Sequence, residues 1–118
     1  MTEAIEAINY FAQSDVNNAW VRDHIYGIEK DYRLARVAKI SLFMNGAGEG
    51  NIIFGDGLEN VPDKGIENGT FDILVANPPY AVKDFKQHLQ LKNNSFTLLD
   101  RIGMNGGEIE TLFVERIA

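Results

Sequence analysis

Four consecutive residues carry the sharpest chemical suggestion in this sequence: Asn77-Pro78-Pro79-Tyr80. Adjacent prolines remove two backbone N–H donors and fix two φ angles. The first proline also drives Asn77 out of the helical region. The product is a stiff, extended turn whose carbonyls have no local donor to absorb them. Asn77 adds a side-chain carbonyl acceptor and Tyr80 adds a flat ring. Rigid acceptors beside a ring suit a planar group bearing an NH2, such as the exocyclic amine of a nucleobase held by stacking. Taken without context, the same residues make an ordinary turn closing a strand.

Two further polar signals stand at similar places along the chain, Glu29 and Asp56. Glu29 ends the short apolar run from His24 to Glu29, which reads as a buried strand. Asp56 lies in Gly55-Asp56-Gly57, which breaks a second strand over residues 51–54. The run Phe71-Asp72-Ile73-Leu74-Val75-Ala76 is the clearest strand, nearly all apolar, as expected of a central parallel strand covered on both faces. Singly, Glu29 is an unremarkable strand end and Gly55-Asp56-Gly57 a common turn. Together with Asn77 they mark three successive strand ends, where α/β sheets bind ligands.

The elements that must position these residues follow from periodicity and caps. Residues 3–13 read as a helix through Ala4, Ile5, Ile8, Phe11 and Ala12, with Thr2 as N-cap. Residues 14–18 read as a turn and 19–23 as one more helical turn. Asp31 caps a helix through Met44 that presents Leu34, Val37, Ala38, Ser41 and Leu42 or Met44 inward and stops at Asn45-Gly46. Residues 59–69 form a polar loop, and residues 81–107 are weakly patterned. Residues 108–117 form an amphipathic helix with Ile109, Leu112 and Phe113 inward and Glu115 and Arg116 outward. Phe71, Phe85, Phe96 and Phe113 are expected in the core, and Trp20 in packing. This alternation is that of an α/β doubly wound sheet.

The run Ile73 to Tyr80 resembles the signature of amino-group DNA methyltransferases that use S-adenosylmethionine. The Asn form of the motif implies methylation at adenine N6 or cytosine N4, adenine first. Such enzymes flip the target base out of the duplex. The resemblance implies that the Asn77 side chain and the Pro78 carbonyl accept hydrogen bonds from the amine, localising its lone pair, while Pro79 stiffens the turn and Tyr80 stacks on the base. It extends to Ile25 through Asp31, to Leu34-Ala35 and to Asn45-Gly46, where Glu29, with Lys30 beside it, would hold the cofactor ribose. It extends also to Asn51 through Leu58. There Asp56 would accept from the cofactor adenine amine, Gly57 and Leu58 would line that ring, and Asn77 would border the same cleft. Residues 108–116 resemble the helix before the family's fifth strand. The nearest family is the N6-adenine DNA methylase group, in particular the modification subunit of type I restriction-modification systems.

One departure from that pattern is instructive. The family grips the methionine end of the cofactor with a Gly-rich loop after the first strand, and no such loop stands here. Gly46-Ala47-Gly48-Glu49-Gly50 is rich in glycine but precedes a strand. The expectation is therefore a single fragment, residues 1–118, of a methyltransferase catalytic domain: an incomplete doubly wound, Rossmann-like sheet without its first strand. Exposed strand edges would then favour a homodimer. The implied partners are DNA, through the full enzyme, and the specificity and restriction subunits of a type I complex. The rival expectations are a related methylase acting on a protein glutamine or an RNA amine, and a non-catalytic fragment or assembly subunit.

Composition narrows the field. A chain of 118 residues allows one domain, and 45% hydrophobic with 24% charged residues is ordinary for a globular protein. Eleven Lys and Arg against 17 Asp and Glu leave a formal charge of -6, so the chain alone should not grip a phosphate backbone. The basic stretch Lys83, Lys86, Lys92 and Arg101 could approach DNA phosphates, although a solvated loop is the simpler reading. The sequence contains no cysteine, which excludes disulfides, thiolate metal sites and Cys nucleophiles and suits the cytoplasm. His24 and His88 have no partner at ligand spacing, so no metal is expected. No stretch approaches a membrane span.

Overall fold

The computed structural model describes Glu6, Tyr10 and residues 20–48, 50–104 and 106–118. Of the helix expected over residues 3–13, Glu6 and Tyr10 are helical and the rest lies outside the described residues, as does the turn at 14–18. The chain divides into two compact units, Met1–Gly57 and Leu58–Ala118.

The first unit is a β-α-β arrangement. Helix α1 (Trp20–His24) leads into strand β1 (Tyr26–Glu29), helix α2 (Tyr32–Met44) and strand β2 (Asn51–Phe54). The strands pair in parallel, Tyr26 opposite Asn51 and Glu29 opposite Phe54. β1 starts two residues later than the apolar run suggests, because His24 closes α1. The Asn51 side-chain amide ties this corner together by donating to the carbonyls of Arg22 and Ile25.

Both ends of α2 form as their residue types require. The Asp31 carboxylate accepts from the N–H groups of Arg33 (2.8 Å) and Leu34 (3.3 Å), satisfying two donors that the first turn leaves free. At the other end Gly46 turns left-handed at φ 73°, which brings its N–H to the Phe43 carbonyl and the Ala47 N–H to the Leu42 carbonyl. This is the Schellman closure, and its usual apolar contact is present: Leu42 and Ala47 both lie in the core with Val21, Ala35 and Ile52.

The inward face of α2 is narrower than its periodicity suggests. Ala35 and Leu42 are buried and Ala38 packs beside them, but Leu34, Val37 and Met44 are 56%, 60% and 80% exposed. Two strands about 4.8 Å apart offer too little surface to cover the full apolar arc of the helix.

The second unit has no sheet among its described residues. A 3-10 turn (Pro62–Lys64), helix α3 (Phe85–His88), a 3-10 helix (Leu98–Arg101) and helix α4 (Ile109–Ile117) surround a core of Leu58, Phe85, Phe96, Ile102, Ile109 and Leu112. The three phenylalanines expected inside at 85, 96 and 113 lie in or against this core, whereas Phe71 is 36% exposed.

The largest difference from the sequence expectation is at residues 71–76. They form no strand, with Ile73 82% and Val75 90% exposed. A strand covered on both faces needs neighbours to complete its ladder, and among the described residues none pairs with this run. Local β-propensity does not supply the missing hydrogen bonds.

Candidate functional site

Parallel pairing puts the carboxyl ends of β1 and β2 on the same edge of the sheet. The Gly55 N–H donates to the Glu29 carbonyl at 3.0 Å, extending the ladder one step beyond β2. Glu29 and Asp56 thereby become neighbours in the first unit although 27 positions separate them (56 − 29). The Glu29 Oε1 accepts the Asp31 N–H at 2.8 Å, which orients the carboxylate against the start of α2. Lys30 Nζ donates to Asp56 Oδ2 at 2.7 Å. Its ammonium end is largely in solvent, with the Lys30 side chain 69% exposed against 22% for Asp56, so the pair contributes little stability and can open at small cost. Asp31, the cap of α2, is held below the ordinary carboxylate range by the Arg33 side chain and by the N–H groups of Arg33 and Leu34. Glu29, Lys30, Asp56 and Gly57 thus share one end of one unit. Leu58 belongs to the second unit, where its side chain is fully buried in the core.

The proline turn lies in the second unit. Asn77, Pro79 and Tyr80 are exposed and Pro78 is half-buried, so most of the turn is open to solvent. Tyr80 is 77% exposed. Directly after it, Ala81 adopts φ 49°, and its N–H donates to Glu110 Oε1 at 2.8 Å. Gly107 lies against the same residue: a Cβ placed there would touch the Ala81 backbone at 3.4–3.5 Å. Neither Glu110 nor Gly107 stands out in the sequence, because the contact spans 29 positions with no local pattern to announce it.

Within the basic stretch downstream of the turn, Lys86 does a different job from the one its charge suggests. Lys86 Nζ donates to the carbonyls of Leu99 (2.8 Å) and Ile102 (3.1 Å), closing the 3-10 helix rather than facing outward. Lys92 borders a polar recess of about 440 Å³ with Asn60, Asn68, Asn93, Asn94 and Ser95, which includes none of the residues expected to hold the cofactor or the target base. Among the described residues no group of His, Cys, Asp and Glu could hold a metal ion. No helix among them is long and apolar enough to cross a membrane.

A family model described as N-6 DNA methylase matches residues 4–117, nearly the whole chain. The chain belongs to the N-6 DNA methylase family. No curated protein and no solved structure matched it. Membership supports a methyltransferase with a fold of the S-adenosylmethionine-dependent class, and this N-6 DNA methylase chain contributes to such a fold a parallel β-α-β unit and a small helical unit. S-adenosylmethionine is the methyl donor of the family. The donor chemistry of the β1–β2 edge fits its nucleoside part: carboxylates are acceptor-only groups, and a ribose diol and an adenine amine are donors.

Proposed function

We propose that this chain takes part in adenine-N6 methylation of DNA, as a piece of the modification subunit of a type I restriction-modification system. The observation that carries the reading is the solvent-facing Asn77-Pro78-Pro79-Tyr80 turn in a chain matched by the N-6 DNA methylase family over residues 4–117. In this reading the Asn77 side-chain oxygen and the Pro78 carbonyl accept the two amine hydrogens of a flipped adenine. Holding those hydrogens draws the nitrogen lone pair out of the ring system and frees it to react. Pro79 keeps the turn rigid, and Tyr80 offers its ring as a stacking platform. Glu29 and Asp56 hold the cofactor nucleoside, with Lys30 and Gly57 beside them. When bound, S-adenosylmethionine supplies an electrophilic methyl group. With a formal charge of -6, the chain relies on specificity and restriction subunits for positive charge against the DNA backbone.

The test is methyl transfer from labelled S-adenosylmethionine to adenine-containing duplex DNA by the chain assembled with its partner subunits. Asn77→Ala should lower the rate by about 100-fold or more, since it removes an acceptor that acts on the reacting amine. Wild-type assemblies that methylate no adenine, or an Asn77→Ala variant at full rate, would sink the reading. The 118-residue chain by itself is expected to give no turnover, because no Gly-rich loop follows a strand in its sequence.

A second reading is a non-catalytic assembly subunit that binds only protein through its exposed apolar runs. It is favoured by the exposure of Ile73, Val75, Val37 and Met44. Calorimetry separates the two. Heat of S-adenosylmethionine binding, abolished in Glu29→Ala or Asp56→Ala, supports a cofactor site, whereas no heat supports the assembly subunit.

A further inference from the structure

We infer that Glu110 is a positioning residue for the Asn77–Tyr80 turn, an inference that rests on the base-binding role proposed for that turn. Pro78 and Pro79 have no N–H, so the stretch from Asn77 to Ala81 has few donors by which the protein can hold it. One that is held is the Ala81 N–H, on Glu110 Oε1 at 2.8 Å. The peptide plane between Tyr80 and Ala81 is rigid. Fixing the Ala81 N–H therefore fixes the direction of the Tyr80 carbonyl and limits where the Tyr80 Cα, and with it the ring, can stand.

Three observations show that this anchor is built rather than incidental. Glu110 sits in the first turn of α4, between Ile109 and Leu112, which are 9% and 0% exposed, so its base is fixed in the core. A carboxylate in the first turn also complements the positive end of the helix. Ala81 adopts φ 49°, a left-handed conformation that costs a non-glycine residue about 1 kcal/mol. The charged acceptor offsets that cost and selects the conformation. Finally, Gly107, just before α4, lies beside the Ala81 backbone, a Cβ there standing at ordinary contact distance of 3.4–3.5 Å, so the anchored peptide packs against the segment that leads into the helix.

The experiment follows the Ala81 amide and the Tyr80 ring by NMR in the 118-residue chain, in wild type, Glu110→Ala and Glu110→Gln. Deoxyadenosine monophosphate is the probe of base binding. Glu110→Ala should speed Ala81 amide exchange and weaken nucleotide binding, each by about tenfold, without changing the circular dichroism. Glu110→Gln keeps an acceptor oxygen at the same reach and should restore both. Unchanged Ala81 exchange in Glu110→Ala overturns the inference, as does faster exchange with undiminished nucleotide affinity. A wild-type chain that binds no nucleotide would tell against the base-binding role itself. The positioning inference is then decided by the Tyr80 ring signals: displaced in Glu110→Ala and restored in Glu110→Gln they uphold it, unmoved they overturn it.

Discussion

Adjacent charged residues on the last turns of α4 carry separate structural duties. Glu115 accepts from the Thr97 N–H and hydroxyl, both at 2.6 Å, and from the Leu98 N–H at 2.9 Å, satisfying the free donors at the start of the 3-10 helix. The Thr97 hydroxyl and the Leu98 N–H hold its carboxyl below the usual range. Arg116 donates to Asn60 Oδ1 at 2.6 Å, to the Glu59 carbonyl at 3.1 Å and to the Asn68 side chain. Its own burial lowers its proton affinity, and Glu59 works in the opposite direction. For Glu115 the folded state binds the proton less tightly than the unfolded one. Its contribution is therefore complete above 4.5, the value of an unperturbed glutamate, and disappears as pH falls through the lowered folded value. Thermal melting across acid pH should show a shallower loss of stability in Glu115→Gln than in wild type. Parallel curves for the two proteins would refute this role.

At the scale of elements, three glycines shape the described part of the connection from α2 into β2. Gly46 and Gly48 take positive φ, and Gly50 does so at 59°. Gly50 has an additional constraint, since a Cβ there would overlap Leu42 Cδ1, and Leu42 is a core side chain only 1% exposed. Gly50→Ala should therefore lower stability by about 2 kcal/mol, combining backbone strain with overpacking. Denaturant unfolding measures it. A variant as stable as wild type would mean that Leu42 can repack. The β1–β2 edge depends on this connection, because the register that brings Glu29 beside Gly55 and Asp56 is set by where β2 begins.

For the whole molecule the dominant feature is apolar surface left in solvent. Residues 71–76 present Ile73 and Val75 almost fully, and α2 presents Leu34, Val37 and Met44. An exposed apolar run that belongs to no sheet is a template for strand addition. The expected outcome is self-association of the 118-residue chain in light scattering, reduced by Ile73→Lys, which puts a charge into the run without touching the Asn77–Tyr80 turn. A monodisperse monomer for the wild-type chain would rule this out. A formal charge of -6 opposes association at low salt, so the fraction associated should rise with ionic strength.

What the sequence alone determined is what short-range chemistry controls. Asp31 and Asn45-Gly46 bound α2 because caps act within a turn. β2 occupies residues 51–54 as its apolar run indicates, and Ile109, Leu112 and Phe113 mark the inner face of α4. The stiffness of Asn77-Pro78-Pro79-Tyr80 was readable for the same reason, since proline acts on its own bond and the one before it. Tertiary structure decided everything that needed a distant partner. It left 71–76 outside the described strands, because a strand is completed by hydrogen bonds from elsewhere in space. It turned Glu115, Arg116 and Lys86 from apparent surface charges into anchors for backbone groups and side-chain amides. It also joined Glu110 to Ala81 across 29 positions, because carboxylates and ammonium groups are recruited wherever folding leaves a donor or acceptor unmatched.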